Sequence, residues 1–168
     1  MVQFKKQIEN RLIIMKTISS FTVDHDKIVP GMYISRIDGD ITTFDLRTRK
    51  PNNGIYMDNL TMHSVEHMFA TVIRNSPVGE HVVYFGPMGC QTGFYLLTSN
   101  LKPEGVYQAV LQTLEQIAYH ETQMYGQSQK ECGNYKNLDL NAAKIECAAL
   151  LDILKKRGPS FSYPEESR

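Results

Sequence analysis

Apolar side chains at Leu60, Met62, Val65, Met68, Phe69, Val72 and Ile73 recur at helical spacing, which predicts a helix from a cap at Asp58 to Asn75, ended by Ser76-Pro77. Before it the pattern is that of strands. Residues Ile28 to Ile37 and Ile41 to Arg47 flank Asp38-Gly39-Asp40, a hairpin signal, and Thr48 to Asn59 reads as a loop around Pro51, Asn52, Asn53 and Gly54. Two more strands follow, His81 to Phe85 and Gly93 to Thr98, joined by a turn containing Gly86, Gly89 and Cys90. A long helix opens at Pro103, carries Val106, Val110, Leu114, Ile117 and Ala118 on one stripe, and ends by Gly126. After a polar stretch with Cys132-Gly133 comes a last helix from near Asp139, with Ala142, Ile145, Ala149 and Ile153 inward and Gly158-Pro159 closing it.

Strands that come first as a hairpin, with helices not regularly alternated among them, predict an α+β fold in which an antiparallel sheet packs against helices. Residues 1–17 are Lys-, Gln- and Asn-rich and read as an amino-terminal arm or as the product of an upstream start, with Met15 as the alternative initiator. Residues 18–157 form the expected single catalytic domain, and 158–168 a tail that frays after Pro159. At 168 residues the chain is long enough for a real core.

Charge and composition remove several classes. Lys and Arg number 18, as do Asp and Glu, so no basic footprint points to nucleic acid or to an anionic membrane. No apolar run approaches a membrane span, and the start lacks the core and cleavage site of a secretory signal. A cytoplasmic protein is expected. The cysteines number 3, an odd count at wide spacing, which fits reduced thiols used for chemistry or metal rather than a disulfide framework.

The chemistry concentrates in His63-Ser64-Val65-Glu66-His67. On a helix these three polar side chains fall within about 100° of arc. Two neutral imidazoles on successive turns can converge on one cation, while Glu66 is displaced enough to serve as general acid or base. A catalytic metal usually takes a third protein ligand and keeps one position open. The candidates are Cys90, Cys132, Cys147, Glu131 and Glu146. Cys147, beside Ala148 and Ala149 in the last helix, reads as a small core residue. Cys132 lies in a polar loop from which it can reach a metal. Cys90 sits in a turn whose Gly86, Gly89 and Gly93 let the backbone approach a ligand, and is a candidate acid/base or nucleophile.

Taken together, Ser20-Phe21-Thr22-Val23-Asp24-His25, Phe44-Asp45-Leu46-Arg47, His63-Ser64-Val65-Glu66-His67, Pro87-Met88-Gly89-Cys90-Gln91-Thr92-Gly93 and Cys132-Gly133 closely resemble the S-ribosylhomocysteine lyase (LuxS) family over about residues 18 to 157. The resemblance implies that His63, His67 and Cys132 bind one divalent metal, Fe(II) with Zn(II) or Co(II) able to replace it. Glu66 and Cys90 would transfer protons, and Ser20, His25 and Arg47 would line the substrate pocket. It also implies a homodimer with active sites at the interface. The implied bacterial reaction splits S-ribosylhomocysteine into homocysteine and 4,5-dihydroxypentane-2,3-dione, the autoinducer-2 precursor of quorum sensing and a by-product of the methionine cycle. Carbonyl migration along the sugar, assisted by the metal as Lewis acid, is followed by β-elimination of the thiol. No nucleotide cofactor is expected. Tyr84 and Leu138 depart from the family pattern, which has an acidic residue and a histidine there.

The alternative is an HxxEH zinc metallopeptidase, in which Glu66 would activate a metal-bound water and Glu146 is the formal third ligand. That reading leaves Cys90 and Cys132 without a role.

Overall fold

Glycine and proline set where the sheet begins. The computed structural model describes residue 18 and residues 22–164. Strand β1 spans Gly31–Asp38, a few residues later than the expected start at Ile28, because Pro30 has no N–H to give to a ladder. It turns through Gly39, at φ +63°, into β2, Ile41–Arg47. After the HxxEH helix α1, Asn59–Arg74, a 3₁₀ turn over Gly79–His81 leads to β3, Val82–Pro87, and β4, Gly93–Ser99. Helices α2, Pro103–Ala118, and α3, Leu140–Arg157, complete the order. The strands form one 4-stranded antiparallel sheet, β1-β2-β4-β3, which bears out the expected α+β class.

The sheet's alternation sorts its residues onto two faces. Phe44 and Leu46 of β2, with Met32, Phe85, Phe94 and Leu96, enter the main core against Met68 and Phe69 of α1, Val110 and Leu114 of α2, and Leu150 and Leu154 of α3. Phe69, Phe85 and Phe94 stack in series with centroid separations of 4.1 and 5.2 Å. Asp45 and Arg47, between and beyond those core positions on β2, belong to the opposite face, yet both are buried.

What covers them is the chain's end. The tail expected to fray after Pro159 instead folds back: Gly158, at φ +70°, reverses the chain, the Ile34 amide donates to the Phe161 carbonyl at 2.8 Å, and Tyr163 stacks on Tyr33 at 4.7 Å. Two aromatic rings bring enough apolar area to offset the entropy of ordering a few residues. Ile28, Tyr33 and Tyr163 form a small second core on this face.

Helix α3 corrects the expected inward stripe. Ile145 is 71% exposed and Ala149 is exposed, whereas Ala143, Glu146, Cys147, Leu150, Leu151 and Leu154 are buried. The phase is shifted by one residue because a glutamate can be buried when paired. Arg49 donates to both Glu146 carboxylate oxygens, at 2.7 and 2.5 Å. Cys147 is the small core residue expected, and burial pushes its thiol well above the ordinary range.

Candidate active site

Helix α1 carries the histidines because its start is fixed. The Asp58 carboxylate accepts the Thr61 amide at 2.7 Å, and the Asp139 amide donates to Ser64 Oγ at 2.8 Å, tying the middle of α1 to the start of α3. His63 Nδ1 donates to the Asn137 carbonyl at 2.8 Å, and His67 Nδ1 to the Tyr125 carbonyl at 3.0 Å. A carbonyl only accepts, so both rings carry their proton on Nδ1 and present the Nε2 lone pair. Both carbonyls come from the polar stretch that also supplies Cys132. Cys132 Sγ lies 3.4 Å from His63 Nε2 and accepts the Asn134 amide at 3.4 Å.

The donor atoms of His63, His67 and Cys132 all lie within 4.8 Å of one another. Tetrahedral coordination with ordinary metal–N and metal–S bond lengths sets donor pairs about 3.3–3.6 Å apart, so the cluster fits one transition metal with only small rearrangement. Gly126, at φ +65°, makes this fit possible, since a Cβ there would lie 2.8 Å from His67 Nδ1. Glu66 is outside the ligand cluster but lines the same cavity of about 240 Å³ as His63, with Asn59, Met62, Pro87, Asn134 and Asn137. It has no hydrogen-bond partner among the described residues, so its carboxylate is not committed to the scaffold.

Cys90 belongs to a second cavity of about 360 Å³, lined also by His25, Pro51, Asn52, Tyr56, Gln91 and Thr92. The turn that presents it is held by backbone bonds: Gln91 N to the Met88 carbonyl and Met88 N to the Gly93 carbonyl, each 2.9 Å, and Met57 N to the Gln91 carbonyl at 3.0 Å. Two of the turn glycines have a packing reason of their own. A Cβ on Gly93 would lie 2.5 Å from the Leu46 carbonyl and one on Gly86 would collide with the Tyr84 ring, while Gly89 is open.

Arg47 sits behind the cavity wall, not among its lining residues. It is 2% exposed, where a strand-end surface charge would be free. Its Nε and Nη2 donate to the two Asp45 oxygens at 3.1 and 2.5 Å, and Nη1 donates to Thr92 Oγ1 at 2.6 Å and approaches Cys90 Sγ at 3.8 Å. Cys90 Sγ is also 3.0 Å from Thr92 Oγ1. Burial opposes the Arg47 charge, but Asp45 prevails and holds its pKa above the usual arginine value. The arginine is therefore a fixed positive charge behind the thiol. His25 Nδ1 donates to the Val23 carbonyl at 2.9 Å, orienting its ring at the cavity. Ser20 lies outside the described residues, as does the amino-terminal arm.

The structure thus gathers His63, His67, Cys132 and Glu66 in one place, and Cys90 and His25 around another, linked by the turn from Pro87 to Thr92. Glu146, the third ligand of the peptidase reading, is buried in its pair with Arg49 and is not a member of the cluster. Sequence reasoning missed Asp45, Thr92, Gly126 and Tyr163. The first was legible in part, because Asp45 and Arg47 are two apart on a strand and share a face.

Comparison with known proteins shows the family. The family model described as S-Ribosylhomocysteinase (LuxS) matches residues 18–158. An S-ribosylhomocysteine lyase of Borreliella afzelii is 41% identical over 157 residues, covering 89% of this chain and 100% of that protein. One of Finegoldia magna is 41% identical with 90% and 100% covered, and one of Phocaeicola vulgatus 43% identical with 82% and 89% covered. With two imidazoles and a thiolate converging beside a carboxylate, and with the family model spanning the whole catalytic region, the chain belongs to the S-ribosylhomocysteinase (LuxS) family.

Proposed function

We propose that this protein is a carbon–sulfur lyase that cleaves S-ribosylhomocysteine into homocysteine and 4,5-dihydroxypentane-2,3-dione, with His63, His67 and Cys132 as metal ligands. The observation that carries the reading is the convergence of those three donor atoms within 4.8 Å beside Glu66. The names of the relatives supply the substrate. By the family resemblance Fe(II) is the metal we propose, with Zn(II) or Co(II) able to replace it, and two imidazoles and a thiolate suit each of them. When bound, the metal supplies a Lewis acid that polarises a sugar carbonyl.

The residues of the chain move protons. A base takes the proton from the hydroxyl-bearing carbon beside the carbonyl, and an acid returns one to the former carbonyl carbon, so that the carbonyl shifts by one position with no net redox change. Glu66, uncommitted to other groups and next to the metal ligands, suits transfers close to the metal. Cys90, facing a separate cavity with Arg47 Nη1 3.8 Å from its sulfur, suits transfers from the other side. Once the carbonyl is β to the sulfur-bearing carbon, removal of the proton between them expels the homocysteine thiolate. Water must be kept from the intermediate sugar forms, and among the described residues both cavities are open to solvent. This supports an active site completed at a homodimer interface, with Ser20 and His25 contributing to substrate binding.

No helix of the described residues is long and apolar enough to cross a membrane, and we assign the enzyme to the cytoplasm. The test is release of free thiol from S-ribosylhomocysteine by protein purified without air, set against cleavage of a general peptide. Thiol release without peptide cleavage is expected. Peptide cleavage without thiol release contradicts the assignment.

A further inference from the structure

The second face of the sheet carries a chain of buried polar contacts that runs from the chain's end to the active-site thiol. Tyr163 Oη donates to Asp45 Oδ2 at 2.8 Å. Asp45 accepts two bonds from Arg47, and Arg47 Nη1 reaches both Thr92 Oγ1 and Cys90 Sγ, at 2.6 and 3.8 Å. Tyr163, Asp45 and Arg47 are 7%, 0% and 2% exposed, so no solvent competes for the bonds among these three, whereas the thiol at the end of the series is exposed. We propose that Tyr163 and Asp45 are positioning residues of the lyase, through which the carboxyl-terminal segment holds the Arg47 guanidinium against Cys90.

A carboxylate that accepts two arginine N–H groups can still rock about its own bond axis. A third donor on Oδ2 from outside the pair fixes its plane, and with it the plane of the guanidinium. Tyr163 is suited to that task because it stays a donor: burial, then the Asp45 carboxylate beside it, push its hydroxyl well above the usual phenol range. The segment is itself anchored, by the stack of Tyr163 on Tyr33 and by the Ile34 to Phe161 backbone bond. The guanidinium beside the thiol is thus held in place by residues distant in sequence, 118 positions separating Tyr163 from Asp45. The other titratable groups around Cys90 are Tyr95, whose hydroxyl is raised by burial and by Asp45, and His25 and Tyr56 on the cavity wall. None of them bridges Arg47 to the thiol by a hydrogen bond.

This inference rests on the reading of Cys90 as a proton carrier. The test uses the full, metal-loaded protein and two phenylalanine variants. Tyr163→Phe keeps the ring and its stack and deletes only the donor to Asp45. Tyr33→Phe deletes the hydroxyl of the stacked neighbour, which donates to the Val29 carbonyl at 2.7 Å, and reports general loosening of the same layer. Alkylation of Cys90 by iodoacetamide is followed across pH by mass spectrometry of the Cys90 peptide. In Tyr163→Phe the alkylation profile should move so that alkylation at neutral pH is about threefold slower, and kcat should fall by a similar factor with KM and metal content unchanged. Tyr33→Phe should match the wild type in all four. An unshifted profile in Tyr163→Phe, an equal shift in Tyr33→Phe, or a shifted profile with unchanged kcat would each overturn the proposal. Failure of the underlying reading shows separately, as full thiol release by Cys90→Ala.

Discussion

The proposed metal end and the proposed thiol end of the candidate active site are built in different ways. At the metal end, His63 and His67 lie one turn apart on α1, and the main-chain carbonyls of Asn137 and Tyr125 orient their rings. Precision there comes from local spacing and from backbone groups that side-chain substitution does not remove. At the thiol end, Cys90 projects from a turn, and the groups behind it, Arg47, Asp45 and Tyr163, are side chains brought together from β2 and from the chain's end. The first design resists change everywhere except at the ligands and at close-packed Gly126. The second is adjustable, because each link is a side chain that can be altered alone. A metal site tolerates little variation in geometry, whereas the basicity of a proton carrier is tuned by degrees.

The largest effect expected at the metal end is that of Cys132→Ala. With two imidazoles left, metal measured by elemental analysis should drop to near background after dialysis, and thiol release with it. Full retention of metal would remove Cys132 from the ligand set. A smaller effect should come from Gly126→Ala. The added methyl meets His67 Nδ1 at 2.8 Å at a backbone φ of +65°, so either the ring or the loop must give way. Displacing the Tyr125 carbonyl from His67 should weaken metal affinity about 10–100-fold in a chelator competition, as loss of an orienting partner does elsewhere. Wild-type affinity would mean that the backbone carbonyls do not set the ring. Least is expected from Asp58→Ala at the start of α1, a cost of about 1 kcal/mol read from thermal or denaturant unfolding. Hydrogen bonds from Thr61 hold the Asp58 carboxyl below the usual carboxylate range, so the cap contributes above the ordinary aspartate pKa and is lost as pH falls through the lowered one. The stability gap between wild type and Asp58→Ala should therefore close in acid; a gap that persists there would mean that the charge has no part in the cap.

The difference between the two ends also explains what could be read in the sequence. Helix α1 was legible with its cap, its stop and its chemistry, because period and motif coincide within sixteen residues, as the length of 16 for α1 allows. The hairpin of β1 and β2 was legible from Asp38-Gly39-Asp40. The phase of α3 was not, because a hydrophobicity pattern counts Glu146 as outside and cannot see that Arg49, 97 positions earlier, neutralises it. Nor was the docking of the tail. Phe161 and Tyr163 are ordinary in composition, and only the folded sheet gives them a place to go, Phe161 against Phe44 and Tyr107 of the main core and Tyr163 against Tyr33 and Asp45 on the other face. Arg47 was singled out by family resemblance, yet its burial behind Cys90 depends on the pairing of β2 with β4 and on the closure by Tyr163.

The central claim, that one end holds metal while the other supplies the second proton carrier, is tested most directly by the Cys90→Ala protein, purified without air, with metal content and thiol release from S-ribosylhomocysteine measured on the same sample. Metal should equal the wild type, one ion per chain, with turnover lowered by about 10²–10⁴-fold. Thiol release at the wild-type rate, or loss of the metal along with the thiol, would contradict it.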